Sequence, residues 1–123
     1  MNKLIIIGNL TRAPEYRETQ EGIPVCTFTV AVNRRVCSGA HPEADYFRVT
    51  AWRALGDTCS KYLDKGKKVC VCGRVSAHAY TGSDQTLRAQ LEVSAESVEF
   101  LSPMGTGGGY EPVDESEIPE ELK

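Results

Sequence analysis

Aromatic and basic side chains alternate with apolar ones in the segment Asp45-Tyr46-Phe47-Arg48-Val49-Thr50-Ala51-Trp52-Arg53. Successive side chains of a β-strand point to opposite faces of the sheet. One face of this segment is therefore an ordinary core set, which consists of Phe47, Val49 and Ala51. The other face consists of Tyr46, Arg48, Thr50 and Trp52. Exposed rings beside cations can stack on unpaired nucleobases and neutralise phosphates.

A second segment, residues 68–80, repeats this pattern. Its polar parity includes Arg74, Ser76, His78 and Tyr80, and its apolar parity includes Val69, Val71 and Val75. Arg34 and Arg35 add two charges after another apolar segment. In the first segment alone, the aromatic rings could equally well cover a subunit interface. Two such segments favour a groove for a single strand of nucleic acid.

Five strands and one helix are predicted to position these side chains. Apolar runs or alternation mark strands at residues 3–10, 25–33, 45–53, 69–80 and 86–95. Residues 55–63 fit a short helix, and turn residues occupy 13–15 and 21–24. A helix between the third and fourth of five strands is the order of the all-β OB-fold, a Greek-key barrel.

Charge divides the chain into two predicted parts. Residues 1–103 have a net charge of +2, and residues 104–123 have a net charge of −5. We expect a binding domain over 1–103. The remainder begins with a glycine-rich linker and continues as an acidic tail with two prolines, a composition typical of disorder.

The five cysteines predict reduced thiols in a cytoplasmic protein. Cys70 and Cys72 have the spacing of a partial metal site, but no second pair or nearby histidine completes four ligands, so neither a metal nor a cofactor is expected. The apolar stretch at residues 4–7 is too short for a signal-peptide core, and the sequence contains no run of eighteen apolar residues.

Several motifs resemble the bacterial single-stranded DNA-binding protein family. They include the opening Asn2-Lys3-Leu4-Ile5-Ile6-Ile7-Gly8-Asn9-Leu10-Thr11, the segment Phe28-Thr29-Val30-Ala31-Val32-Asn33-Arg34, and residues 45–53. They continue with residues 62–69, Gly73-Arg74-Val75, and Ala95-Glu96-Ser97-Val98-Glu99-Phe100-Leu101. The resemblance covers essentially residues 1–103.

The resemblance implies a homotetrameric OB-fold protein that binds single-stranded DNA with little sequence preference. Such a protein protects and organises the strand during DNA replication, recombination and repair, and is associated with the nucleoid. The family's stacking aromatics correspond to Tyr46, Trp52 and Tyr80. Its phosphate contacts correspond to Lys3, Arg34, Arg48, Arg53, Lys65 and Arg74. Arg35 joins the predicted DNA-binding residues because of the charge that it adds beside Arg34.

Three departures from the family pattern modify these expectations. Val36 stands where relatives carry an aromatic residue, and Ser76, Ala77 and His78 stand where they carry basic ones. Both changes predict weaker binding. The acidic tip that partner proteins read in the family resembles Asp114, Glu115, Glu117, Ile118 and Pro119. Here Glu120-Glu121-Leu122-Lys123 follows, without a terminal phenylalanine, which weakens the expectation of partner docking.

Three rival functions remain open from the residues alone. The groove could bind RNA, or serve a specialised primosome or recombination accessory. The rings could be buried in a purely structural interaction protein. A hydrolase could use His41 or His78 with Asp45 and Asp84, but these groups have no catalytic motif spacing. A binding protein rather than an enzyme is therefore expected.

Overall fold

Strands form where apolar and polar side chains alternate. The computed structural model describes residues 1–34 and 43–102 of the chain. In chain order the elements there are β1 (Leu4–Leu10), β2 (Glu15–Glu18), β3 (Pro24–Asn33), β4 (Ala44–Trp52), α1 (Arg53–Tyr62), β5 (Lys68–Thr81) and β6 (Leu87–Phe100). Arg35, Val36, Cys37, His41 and the predicted linker and tail at 104–123 lie outside the described residues.

Five of these strands close into a barrel in the order β1-β3-β4-β6-β5-β1. Strand β1 runs antiparallel to β5 from Leu4 to Asn9, and at its other end it pairs with β3 through Asn9–Ala31 and Leu10–Val30. The β4–β6 pairing is parallel, and the other pairings are antiparallel. The predicted OB-fold, with its short helix between the third and fourth barrel strands, is confirmed.

The core fills the inside of this barrel with branched aliphatic side chains. Leu10, Val30, Val49, Val71 and Val93 are at most 1% exposed. Helix α1 packs against β3 and β4 and buries Cys59. Gly8 is required where β1 crosses β3, because a Cβ there would clash with the carbonyl oxygen of Ala31.

The structure corrects three details of the sequence prediction. The segment after the predicted turn at 13–15 is a short strand, β2, which pairs with β3. The third predicted strand ends at Trp52 rather than Arg53, and α1 begins at Arg53 instead of residue 55. The fifth predicted strand continues to Phe100, with a register shift that leaves Glu96 as the extra residue between Ala95 and Ser97.

The outer end of the β5–β6 hairpin extends beyond the barrel wall. In the described chain, β6 pairs with β4 only from Leu91 to Ser94, so its first residues contact β5 alone. Residues 78–90, which we call the hairpin arm, form this two-stranded extension and its turn. Leu87 belongs to the apolar parity of β6 yet is 80% exposed, because the barrel does not reach it.

No helix in the described residues has the length and apolarity needed to cross a membrane.

Candidate nucleic-acid interface

The two faces of β4 differ in burial as the alternation predicts. Val49 and Ala51 are fully buried, and Phe47 packs against the core. On the opposite face Arg48 is exposed, Tyr46 and Thr50 are partly exposed, and Trp52 is 45% exposed. We call this side of the sheet the outer face. The rings of Tyr46 and Trp52 are therefore outside the hydrophobic interior.

The polar residues of β5 lie on the same outer face, although β4 and β5 are not neighbours in the sheet. Strand β6 lies between them, with Ser94 in register with both Thr50 and Arg74. The next row places Glu92 in register with both Arg48 and Ser76. Because adjacent strands are about 4.8 Å apart, β4 and β5 are separated by roughly 10 Å.

Tyr80 lies on the hairpin arm, on the outer-face parity of β5 and opposite Arg88 on β6. Arg88 donates through Nη2 to Asp84 Oδ2 at 3.1 Å. The Thr86 hydroxyl donates to Asp84 Oδ1 at 2.6 Å. Hydrogen bonds from the side chain and backbone of Thr86, together with that from Arg88, lower the pKa of Asp84 to about 2. This network orders the turn of the arm that carries Tyr80.

Two of the predicted phosphate contacts are held by carboxylates. Arg34 forms ion pairs with Asp45 at 2.6 Å and Glu43 at 2.8 Å. Lys3 pairs with Glu96 at 2.8 Å, and this hydrogen bond raises the pKa of the lysine. In the structure, each of these two cations therefore already has an acidic partner.

The other predicted basic residues differ in their position in the fold and in the contacts that they form. Arg48 and Arg74 lie on the outer face, are exposed, and form no ion pair within the described residues. Arg53 is exposed at the start of α1, directly after Trp52, and its φ of 61° is unusual for a residue with a side chain. Lys65 is exposed between α1 and β5. Arg35 lies outside the described residues.

Glu92 is the residue of this face whose central position the sequence did not reveal. It appears in the sequence only as one polar member of an alternating strand. In the fold it occupies the middle of the outer face, with Arg48 on one side and Ser76 on the other. Only the long-range order of the strands, which places β6 between β4 and β5, gives it this position.

Of the groups considered for hydrolysis, His41 lies outside the described residues, and the other three are engaged in contacts of their own. Asp45 binds Arg34, and Asp84 binds Thr86 and Arg88. His78 Nε2 lies 3.4 Å from Glu92 Oε2, on the exposed surface. No group of three or more His, Cys, Asp or Glu residues suited to a metal occurs in the described residues.

Comparison with known proteins places residues 1–101 in a single family. The model of the single-strand binding protein family matches residues 1–101. A single-stranded DNA-binding protein of Caldanaerobacter subterraneus subsp. tengcongensis is 39% identical over 99% of this chain and 83% of its own length. One from Bacillus cereus is 40% identical over 88% of the chain, which spans only 64% of that relative.

Single-stranded DNA-binding protein 2 of Clostridium acetobutylicum is 38% identical over 93% of the chain and 86% of its own length. These relatives are named for binding, in agreement with the expectation of a binding protein rather than an enzyme. The barrel, its outer face and the extent of the match lead to one conclusion: the chain belongs to the single-strand binding protein family.

Proposed function

We propose that this protein binds single-stranded DNA on the outer face with little sequence preference. The observation that carries the proposal is the exposed ring of Trp52, on a strand whose outer face also presents Tyr46 and Arg48. Every base has a π-face, so stacking on such rings tolerates any sequence. Cations beside the rings add a salt-dependent attraction for phosphates.

The proposed stacking residues are Tyr46, Trp52 and Tyr80. Arg48 and Arg74 are the cations best placed for phosphates, since they lie on the outer face without ion pairs in the described residues. Arg53 and Lys65 extend the charged path toward α1. Lys3, Arg34 and Arg35 complete the proposed set, and the first two exchange carboxylate partners for phosphate.

Trp52 provides a direct test, because it is the one tryptophan of the chain. Its fluorescence is expected to be quenched when oligo-dT binds. Trp52→Ala is expected to cost about 1–3 kcal/mol of binding free energy. Tyr62→Ala is the matched control, since Tyr62 is 42% exposed but lies on α1 beside Phe100. Absence of quenching on binding would contradict stacking at Trp52, and competition with oligo-rU separates DNA from RNA binding.

The phosphate contribution is tested by salt dependence. Arg48→Ala is expected to weaken oligo-dT binding and to reduce the slope of log K against log salt by about 1. Lys61→Ala removes the same charge from α1, where Lys61 is exposed and forms no ion pair in the described residues. Equal slopes for the two variants would remove Arg48 from the site.

We also propose that the chain assembles into a homotetramer. The contact would be the part of the outer face that β1 and the beginning of β5 form. Ile5 and Ile7 are 67% and 50% exposed. They lie in register with the half-buried thiols of Cys72 and Cys70. Four apolar side chains on adjacent strands favour association with another copy. Light scattering should give four chains for the wild type and a smaller particle for Ile7→Asp; a wild-type monomer would contradict the proposal.

The domain division and the biological role complete the proposal. Residues 1–103 form the domain that binds DNA, and residues 104–123 form the acidic tail. The protein covers exposed single strands in the cytoplasm during DNA replication, recombination and repair. The net charge of −5 on the tail competes with DNA for the basic face. Deletion of 104–123 should therefore raise affinity for oligo-dT at low salt, and unchanged affinity would contradict this role of the tail.

A further inference from the structure

A carboxylate lies at the centre of the face that we propose for DNA. Glu92 is in register with Arg48 on β4 and with Ser76 on β5, so its side chain shares the outer face with both. The side chain is 42% exposed. Tyr46 and Trp52 precede and follow Arg48 on β4, two and four residues away. The acid therefore lies beside Arg48, which we propose to bind the strand, and on the same face as both rings of β4.

The charge of Glu92 is only partly compensated. Its neighbour in the described residues is His78, whose Nε2 lies 3.4 Å from Glu92 Oε2, and an imidazole is a full cation only when protonated. Arg48, although in register with Glu92, forms no ion pair within the described residues. A negative charge thus remains at the middle of the face when no DNA is bound.

A central negative charge affects phosphates and bases differently. It repels a phosphate, but it places no comparable electrostatic cost on an uncharged base that stacks on a neighbouring ring. A single strand can turn its bases toward Glu92 and direct its phosphates to the neighbouring cations, among them Arg48 and Arg74. A duplex keeps its bases paired and stacked, so it cannot turn their π-faces toward the protein, and closely spaced phosphates of its two strands meet the face.

We propose that Glu92 is a specificity-determining residue that disfavours duplex DNA relative to a single strand on the outer face. This inference rests on the proposed function, because it requires DNA to bind on that face. The discrimination is electrostatic: the same carboxylate that repels a duplex phosphate is accommodated beneath the bases of an unpaired strand.

The test measures dissociation constants for oligo-dT and for a duplex of equal length by fluorescence anisotropy, at fixed salt and with the full chain. Glu92→Gln keeps the shape of the side chain and removes its charge. It should strengthen duplex binding by roughly threefold to tenfold and oligo-dT binding by less, so that the preference for the single strand falls. The gain should diminish as salt is raised.

Two further variants separate the local charge from the overall charge. Glu21→Gln removes one negative charge from the exposed turn between β2 and β3 and should leave the preference unchanged. His78→Ala leaves the carboxylate without its neighbour and should weaken duplex binding more than oligo-dT binding. Equal effects of Glu92→Gln on both ligands, or an equal change of preference in Glu21→Gln, would overturn the inference.

The same titrations distinguish failure of this inference from failure of the proposed function. If Trp52→Ala weakens oligo-dT binding while Glu92→Gln leaves the preference intact, DNA binds on the outer face and Glu92 does not discriminate. If Trp52→Ala has no effect on oligo-dT binding, the strand lies elsewhere, and the proposed site fails together with the inference.

Discussion

Arg34 donates from both Nε and Nη2 to one carboxylate oxygen, Asp45 Oδ1, at 2.9 and 2.6 Å. A third donor, Nη1, reaches Glu43 Oε2 at 2.8 Å. Hydrogen bonding and charge from Asp45 raise the pKa of Arg34, with a smaller contribution from Glu43. The arginine at the end of β3 is therefore already bound to an acid in the free protein.

This pairing predicts that Asp45→Asn strengthens binding of oligo-dT at low salt. The substitution removes one of the two charges that compensate Arg34, and Glu43 still holds the guanidinium, so the gain should be about threefold or less. Anisotropy titrations against the wild type measure it, with Glu21→Gln as the control for net charge. A loss of affinity would indicate that Asp45 positions Arg34 for DNA rather than competing with it.

Truncation of the core at Leu10 should destabilise the barrel strongly. Leu10 is fully buried where β1 joins β3, so Leu10→Ala removes apolar contacts and leaves a cavity that costs about 2–5 kcal/mol of unfolding free energy. Leu87→Ala on the hairpin arm, where the side chain is 80% exposed, should cost about 0.5 kcal/mol or less. Urea unfolding at one protein concentration compares them, and equal costs would contradict this assignment of the core.

The thiols of Cys26 and Cys59 should resist alkylation in the folded protein. Burial raises the pKa of Cys26 to about 11, and burial with the neighbouring Cys26 raises that of Cys59 to about 12. Only the thiolate reacts, so iodoacetamide at pH 8 should leave both unmodified in mass spectra until urea unfolds the chain. Rapid labelling of Cys59 under native conditions would contradict its place on the buried face of α1.

The turn of the hairpin arm should retain its structure in acid. Because the pKa of Asp84 is lowered from 3.8 to about 2, its contribution to stability is present above pH 3.8 and is lost as the pH falls through about 2. Carboxyl NMR titration should give that low midpoint, and Thr86→Val, which removes the hydroxyl donor, should move it upward. An ordinary midpoint in the wild type would contradict the Thr86 and Arg88 bonds.

Local patterns were sufficient to predict the barrel strands and the exposed side of β4. Val49 and Ala51 alternate with Arg48 and Trp52, a pattern typical of a strand with one face on the core. In the structure the first two side chains are buried and the other two are exposed. Strand β2 was missed because all four of its residues are exposed, so no apolar parity marks it. The beginning of α1 was misplaced, and Arg53, where the helix begins, has a φ of 61° that residue type does not indicate.

The arrangement of the candidate site was less accessible to sequence reasoning. The pattern shows that Arg48 and Arg74 face away from the core, but their separation depends on which strand lies between them. The parallel pairing of β4 with β6 joins residues more than forty positions apart, such as Arg48 and Glu92. Local propensity does not determine such a pairing, which requires the barrel to close.

The three proposed stacking rings lie on parts of the sheet that differ in stiffness. Tyr46 and Trp52 belong to a strand held on both sides, by β3 and by β6, whereas Tyr80 lies on the free end of a two-stranded ribbon. A narrow ribbon twists more easily than a barrel wall. The distance between Tyr80 and the barrel wall can therefore change without disturbing the core, so the stacking that we propose at Tyr80 would tolerate purines and pyrimidines of unequal size.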